Sequence, residues 1–268
     1  MERQRLSDYA VGLFDVLPSR KSVKKAIKLG LLTVDGAKAD TGLWVQPGMT
    51  LEVMKDEKSA KTYELKVPVV FEDDYLAIVN KPAGLTTSGN SFKTLENTLA
   101  FNLEPGNQPD AYQQPKPIHR LDHATSGLVI VAKTKAVRVA LGKALQEGQI
   151  SKFYKAIVSG DTPSHGEIHT PIEGQKAHTT YKKVKSRSDK LYTLLELSPI
   201  TGRTHQLRIH CAEEGFPIVG DKLYGGVIGP GKGLFLCAYR IGFQHPVTGA
   251  AIDAHIDLPQ KFNRLLKD

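Results

Sequence analysis

The sequence has little cysteine: only Cys211 and Cys237 in 268 residues. Two thiols are too few for a disulfide framework, and their spacing is not that of a zinc ribbon, so both are expected to be free in a reducing compartment. Long hydrophobic runs are also missing. No stretch approaches the roughly 18 uninterrupted apolar residues that a membrane helix requires. The opening Met1-Glu2-Arg3-Gln4-Arg5-Leu6 lacks an apolar segment of the secretory type, so a cytoplasmic protein is expected. Acidic residues are in deficit, 28 against 36 Lys and Arg, for a formal net charge of +8. That balance suits a polyanionic partner, although solvated lysines alone would produce it. The remaining composition, 40% hydrophobic and 24% charged, is that of a globular chain with room for one large domain and a small appendage.

The basic residues are unevenly spread. Arg20, Lys21, Lys24, Lys25 and Lys28 place five cations in nine residues. Ser19 is the expected N-cap of a helix there and Gly30 its stop, with Val23, Ala26 and Ile27 on the inner face. Arg20, Lys24 and Lys28 then form an i, i+4, i+8 row, a costly arrangement unless an anion lies across it. An earlier helix is expected from the spacing of Leu6, Tyr9, Leu13 and Val16 or Leu17, ended by Pro18. Asp35-Gly36 signals a hairpin, and Gln46-Pro47-Gly48 leads into a short strand at Leu51-Glu52-Val53. Polar residues 55–62 read as a linker. Beyond it the chain alternates strands and short helices. Leu76–Val79 and Leu128–Ala132 suit strands buried on both faces, while 105–117, rich in Pro and Gln, reads as a long loop.

Three clusters can carry chemistry. His119-Arg120-Leu121-Asp122 sets a carboxylate beside an arginine before a buried strand, an arrangement that is as often structural as functional. Lys152-Phe153-Tyr154-Lys155-Ala156 reads as a strand with a central tyrosine. In Gly202-Arg203-Thr204-His205-Gln206-Leu207-Arg208, Thr204 is the expected cap of a helix running to Gly215, with Leu207 and Cys211 facing the core. Each cluster alone has a bland explanation: ion pair, core tyrosine, capped helix.

Taken in order, the motifs closely resemble the RluA-type pseudouridine synthases. The likeness runs from Val69 to the C-terminus, through Asn80-Lys81-Pro82-Ala83-Gly84, the unbroken His119–Gly127 signature, Lys152-x-Tyr154 and Gly202–His210. It continues with Gly220-Asp221-x-x-Tyr224-Gly225 and ends at Ala238-Tyr239-Arg240. Cys237 departs from the pattern, since relatives more often carry histidine before the Ala-Tyr pair. Residues Leu6 to Val53 resemble an S4 RNA-binding domain through Leu17-Pro18-Ser19-Arg20-Lys21, Ile27-x-x-Gly30, Val34-Asp35-Gly36 and Val45-x-x-Gly48-x-x-Leu51-Glu52-Val53.

The resemblance implies an α+β fold, with a large mixed, mainly antiparallel sheet and flanking helices at 63–268, preceded by the S4-like unit at 1–54. It implies exchange of the uracil–ribose bond from N1 to C5, which needs no cofactor or metal. Asp122 is the implied nucleophile or base, acting either at the sugar carbon or in elimination from the sugar; the sequence leaves both routes open. Arg208 is the implied counter-charge that keeps a sunken carboxylate ionised. Tyr154 would stack on uracil or take a sugar proton; its phenol is a poor base unless perturbed. Because the target must leave its helical stack, Arg120 is the candidate to fill the gap or hold phosphate. His119, Arg203 and the cations at 20, 21, 24, 25 and 28 complete the expected RNA contacts. Structured RNA is the expected partner, ribosomal slightly ahead of transfer RNA, with no protein partner implied and a monomer expected.

Two rival readings fit the residues less well. A metal hydrolase would need paired ligands, but His165 and His169 fall in a Pro- and Gly-flanked stretch, about 13 Å apart in a strand and too far for one zinc. A catalytically silent RNA-binding or folding factor would be expected to lack Asp122 or Arg208, and both are present.

Overall fold

The computed structural model describes residues 3–14, 16–54, 62–227 and 233–267, and the chain divides into two compact units, 1–59 and 60–268. Residues 55–61 of the expected linker lie outside the described residues.

In the first unit, β1 (Gln4–Arg5) leads into α1 (Leu6–Tyr9), and α2 (Arg20–Lys28) follows. Next come β2 (Leu32–Val34), β3 (Ala37–Lys38), β4 (Trp44–Val45) and β5 (Leu51–Val53). The first helix is a single turn, not the longer element expected. Gly12 takes φ +76°, and Leu13 and Val16 are exposed, so the apolar spacing there does not mark a buried face. The second helix starts as its sequence dictates. Ser19 Oγ accepts the Ser22 N–H and the Ser22 hydroxyl answers to the backbone of Ser19, a reciprocal cap. Val23, Ala26 and Ile27 enter a small core with Leu6, Leu17, Leu32 and Val34. Asp35 and Gly36 both take positive φ, the two-residue turn that joins β2 to β3 without splaying them.

The second unit is built on a sheet that contains ten strands among the described residues. It comprises β6 (Val69–Glu72), β7 (Leu76–Lys81), β8 (Ala111–Pro117), β9 (Ser126–Thr134) and β10 (Ser151–Ser159). The rest are β11 (His165–Ile168), β12 (Thr179–Ser186), β13 (Tyr192–Pro199), β14 (Leu236–Gln244) and β15 (Ala251–His255). Helices α3 (Leu95–Asn102), α4 (Lys135–Gln146), α5 (Gln206–Glu213) and α6 (Gln260–Leu265) flank it. The order is β11-β12-β13-β10-β14-β9-β7-β6, with β15 added to β14 and β8 to β9. This is the mixed, mainly antiparallel sheet with flanking helices that the sequence implied.

The apolar runs behave as strands buried on both faces. Ala77, Val79, Val129 and Val131 enter one core, and the alternating Leu76, Ile78, Leu128 and Ile130 enter the opposite one. At roughly 25 cal/mol per Å² of apolar surface, each such Val, Leu or Ile side chain contributes about 1.5–3 kcal/mol. Segment 105–117 is not wholly a loop: β8 pairs with β9 through Lys116 and Pro117, with an irregularity that accommodates the buried Pro115.

The parallel contact between β9 and β14 is short, joining Ser126 to Cys237 and Gly127 to Ala238. Past it the strands separate, β8 running beside β9 and β15 beside β14. Glycine is required at this junction. Gly127 has φ +123°, and a Cβ there would meet the Ala238 carbonyl oxygen at 2.2 Å. Both cysteines are free and buried.

Candidate active site

The segment that opens β9 is pinned before it reaches the strand. Thr87 Oγ1 accepts the Leu121 N–H at 3.0 Å and donates to the Leu121 carbonyl at 2.9 Å. The Gly84 N–H donates to the His123 carbonyl at 2.7 Å, and Thr125 N–H closes a turn on the Asp122 carbonyl. Asp122 is thereby held at the mouth of the β9–β14 junction. Two strands across, Tyr154 of β10 faces Ala238 of β14, which in turn faces Gly127. The β10 register shifts between Phe153 and Tyr154, an irregularity of the kind that re-aims a side chain.

A cavity of about 550 Å³ opens here, walled by Arg120, Asp122, Tyr154, Arg203, His205 and Arg208. All three expected catalytic residues therefore meet, though 86 positions separate Asp122 from Arg208. Arg208 Nη1 lies 3.5 Å from Asp122 Oδ2. The same guanidinium is gripped from behind by Asp221, Nε to Oδ2 at 2.6 Å and Nη2 to Oδ1 at 2.8 Å. The Asp221 hydrogen bonds hold the Arg208 pKa above its ordinary value. Burial pushes the Asp221 carboxyl up, but the Arg208 hydrogen bonds and charge outweigh it and leave it below its usual range. The guanidinium also lies 5.1 Å from the centre of the Tyr224 ring.

Burial, with the charge of Asp122 second, pushes the Tyr154 phenol well above its ordinary pKa. A phenolate there is disfavoured, so the side chain offers a ring face rather than a base. Thr125 lines the same cavity, and its buried hydroxyl has no hydrogen-bond partner among the described residues.

The expected RNA contacts divide. Arg120 is exposed on the cavity wall. Arg203 is also exposed there, its Nε donating to the Lys176 carbonyl at 3.0 Å. His119 differs: its Nε2 accepts the Ile130 N–H at 3.2 Å, and burial, with the charge of Lys152, holds its pKa down to about 4. A neutral ring so occupied has no charge to give RNA. On α2, Lys21, Lys24, Lys25 and Lys28 are exposed, whereas Arg20 is paired with Asp8 of α1, Nε to Oδ1 at 2.8 Å.

Thr204 is not the cap of α5. His205 occupies that position in left-handed conformation, φ +55°, with no side-chain cap bond. Gln206 does the local fastening instead. Its Oε1 accepts the Thr201 hydroxyl and the Arg203 N–H, and its Nε2 donates to the His178 carbonyl and Thr179 Oγ1. Leu207 and Cys211 are buried as expected.

Sequence reasoning assigned no role to Asp221, Tyr224 or Lys81, although all three stand in the quoted motifs. Lys81 is fully buried at the end of β7, and Nζ donates to the Pro82 and Leu85 carbonyls at 3.0 and 2.7 Å. Burial lowers its pKa to about 8 against the opposing pull of Asp122.

Away from the cavity wall, Glu167, His169 and His178 form a group able to hold a metal ion, with ligand atoms within 4.8 Å of one another. His165 and His169, the pair weighed from sequence, do not form it. His169 stacks on His178 with ring centres 4.1 Å apart, and both Nε2 atoms address Glu167 Oε2 at 3.2 and 3.1 Å.

The family model for RNA pseudouridylate synthase matches residues 75–213. A protein of Aquifex aeolicus called an uncharacterized RNA pseudouridine synthase is 31% identical, over 97% of this chain and 92% of its own length. Ribosomal large subunit pseudouridine synthase D of Pseudomonas aeruginosa is 33% identical, over 98% of this chain and 91% of its own. Among solved structures, human RNA pseudouridylate synthase domain containing 4 superposes with a TM-score of 0.62 at 24% identity, covering 74% of this chain and 91% of that one, a likeness of fold.

Proposed function

Since this chain belongs to the RNA pseudouridylate synthase family and is an enzyme that isomerises uridine to pseudouridine in RNA, we propose that large-subunit ribosomal RNA is its substrate and Asp122 its reacting carboxylate. The substrate reading rests on the ribosomal large subunit synthases among its relatives. The observation that carries the residue assignment is the placing of Asp122 on the cavity wall, 3.5 Å from Arg208.

Uracil must leave ribose through N1, turn, and rejoin through C5, with bonds exchanged inside one nucleotide. Asp122 acts as nucleophile at the sugar carbon or as base in elimination. Arg208, gripped by Asp221, keeps a cation beside it without swinging away. Tyr154 supplies the surface against which the ring rests while detached; its raised pKa argues against a role as base. The nucleotide is extruded from its stack at a cost of a few kcal/mol. Arg120 fills the vacated place or holds the phosphate, and Arg203 offers a second cation at the same wall.

Residues 1–54 act as an S4-like RNA-binding unit joined by a linker to the catalytic unit at 63–268. Supporting this are the exposed lysines of α2 and Trp44, which is 42% exposed with the Arg5 guanidinium 5.5 Å from its ring centre. Exposed aromatic and basic groups together suit unpaired bases and phosphates. The enzyme works as a monomer in the cytoplasm. Among the described residues, no helix is long and apolar enough to cross a membrane.

The test is a pseudouridine map of total RNA from a deletion strain against its parent. Loss of one or more sites in large-subunit ribosomal RNA is expected. Loss confined to transfer RNA would overturn the substrate, and an unchanged map would leave the silent RNA-binding reading in its place.

A further inference from the structure

The cavity holds a histidine for which the mechanism has no use so far. His205 takes φ +55° and ψ +18°. Left-handed backbone costs a residue other than glycine on the order of 1–3 kcal/mol, and after glycine asparagine is among the residues that adopt it most readily. An imidazole is kept there nonetheless. Its Nδ1 lies 3.0 Å from the Tyr224 hydroxyl and its Nε2 lies 3.8 Å from Asp122 Oδ1. Tyr224 is itself fixed, its N–H on Asp221 Oδ1 at 3.3 Å and its ring under the Arg208 guanidinium. One chain of contacts thus runs from Asp221 through Arg208 and Tyr224 to His205, and both Arg208 and His205 end on Asp122.

The contacts select a tautomer. Neutral imidazole carries one N–H. With the Tyr224 hydroxyl donating to Nδ1, the proton stands on Nε2 and faces the carboxylate. With the roles reversed, a lone pair would face the anion. Charge at 3.8 Å favours the first arrangement.

Resting on the reading of Asp122 as the reacting carboxylate, we propose that His205 is a positioning residue for it. Its Nε2–H, set by Tyr224, closes on Oδ1 when RNA fills the cavity, while Arg208 holds Oδ2. Anchored at both oxygens, the carboxylate can no longer rotate, and each oxygen keeps a lone pair for the nucleotide. A misplacement of about 1 Å at such a centre can cost about 100-fold in rate.

The test uses the full-length protein acting on total RNA from the deletion strain, with initial rates of pseudouridine formation measured over a range of RNA concentration. Four variants are compared: His205→Gln, His205→Asn, Tyr224→Phe and Asp122→Asn. Glutamine places an amide nitrogen where Nε2 stands, whereas asparagine suits the backbone but ends short, near Nδ1. Expected values of kcat are within about tenfold of wild type for glutamine and about 100-fold down for asparagine, with KM moving less than about threefold. Tyr224→Phe keeps its ring beneath Arg208 and loses about tenfold in kcat. It stands as the measure should His205→Gln fail to fold. A role confined to backbone conformation reverses the order, asparagine matching or exceeding glutamine, and that result overturns the proposal. An active Asp122→Asn overturns the underlying reading of the site. An inactive Asp122→Asn beside wild-type rates in His205→Asn and Tyr224→Phe overturns this inference alone.

Discussion

Helix α2 and the catalytic cavity are both rich in cations, yet the two treat charge in opposite ways. On α2, Lys21, Lys24, Lys25 and Lys28 stand exposed, and among the described residues Arg20 is the one of the five cations that is paired, through Asp8. In the cavity Arg208 is 10% exposed and answers to two carboxylates, Asp221 tightly and Asp122 at longer range. Exposed cations are screened by salt and water and act together as an adhesive surface. A buried cation must be paired within the fold, and its pairing fixes where a reactive group stands. On the proposed reading the difference separates holding RNA from acting on it, and four variants test that separation.

The largest effect is expected at the cavity's reactive end. Asp122→Asn should lower the rate of pseudouridine formation by about 10⁴-fold or more, equivalent to about 5.5 kcal/mol of barrier, while RNA binding measured by filter retention stays within a few-fold. Retained activity would erase the distinction between the two regions.

Next is the hidden carboxylate. Asp221→Asn leaves a buried guanidinium without its closer charge partner, with only Asp122 at longer range, and should cost up to about 3–5 kcal/mol of stability in urea unfolding, together with a loss of rate. A variant as stable as wild type would mean that Arg208 is held by something other than Asp221.

His119 provides a pH test. Its ordinary pKa of 6.5 is lowered to about 4 in the fold, so between these values the unfolded chain binds more protons than the folded one. Stability is therefore full above pH 6.5 and declines as pH falls toward 4, by at most about 3 kcal/mol at 1.36 kcal/mol per unit. His119→Gln can still accept the Ile130 N–H, and its melting temperature should fall less between pH 7 and 4.5 than that of wild type. Equal slopes would contradict the neutral reading of this ring.

The smallest effect belongs to the surface. Replacing Lys24, Lys25 and Lys28 with Ala should weaken RNA binding about tenfold at low salt and flatten the slope of log K against log salt by about 2. Folding should be unharmed or gain a few tenths of a kcal/mol as like charges separate. An unchanged salt slope would count against the S4-like reading of this unit.

Much of the fold could be read from local pattern. Ser19 and Gly30 bracket α2 because caps and left-handed stops depend on near neighbours. The runs at Leu76 and Leu128 become central strands because continuous apolar sequence can only be buried on both faces. The first helix is shorter than its pattern suggests because Leu13 and Val16 have helical spacing but no core to meet, and Gly12 turns the chain away. Strand β8 looks like loop in the sequence because prolines and glutamines hide it; its pairing is supplied by β9, not by its own propensity. The cap of α5 was placed on Thr204, whereas the backbone turns left-handed at His205, where the side chain faces Tyr224 and Asp122 instead of the helix end.

What the sequence determined by itself is the inventory: an aspartate in an unbroken motif, a tyrosine mid-strand, an arginine near a helix start and a basic helix. These depend on residues a few positions apart, where spacing is geometry. Only the tertiary structure decided which charges meet. Asp221 grips Arg208, His205 and Arg208 address the two oxygens of Asp122, and His119 accepts the Ile130 N–H. Arg208 reaches Asp221 across 13 positions of sequence and Asp122 across 86. Buried charges and polar groups select their partners by proximity in a water-poor interior, a distance that sequence separation does not measure.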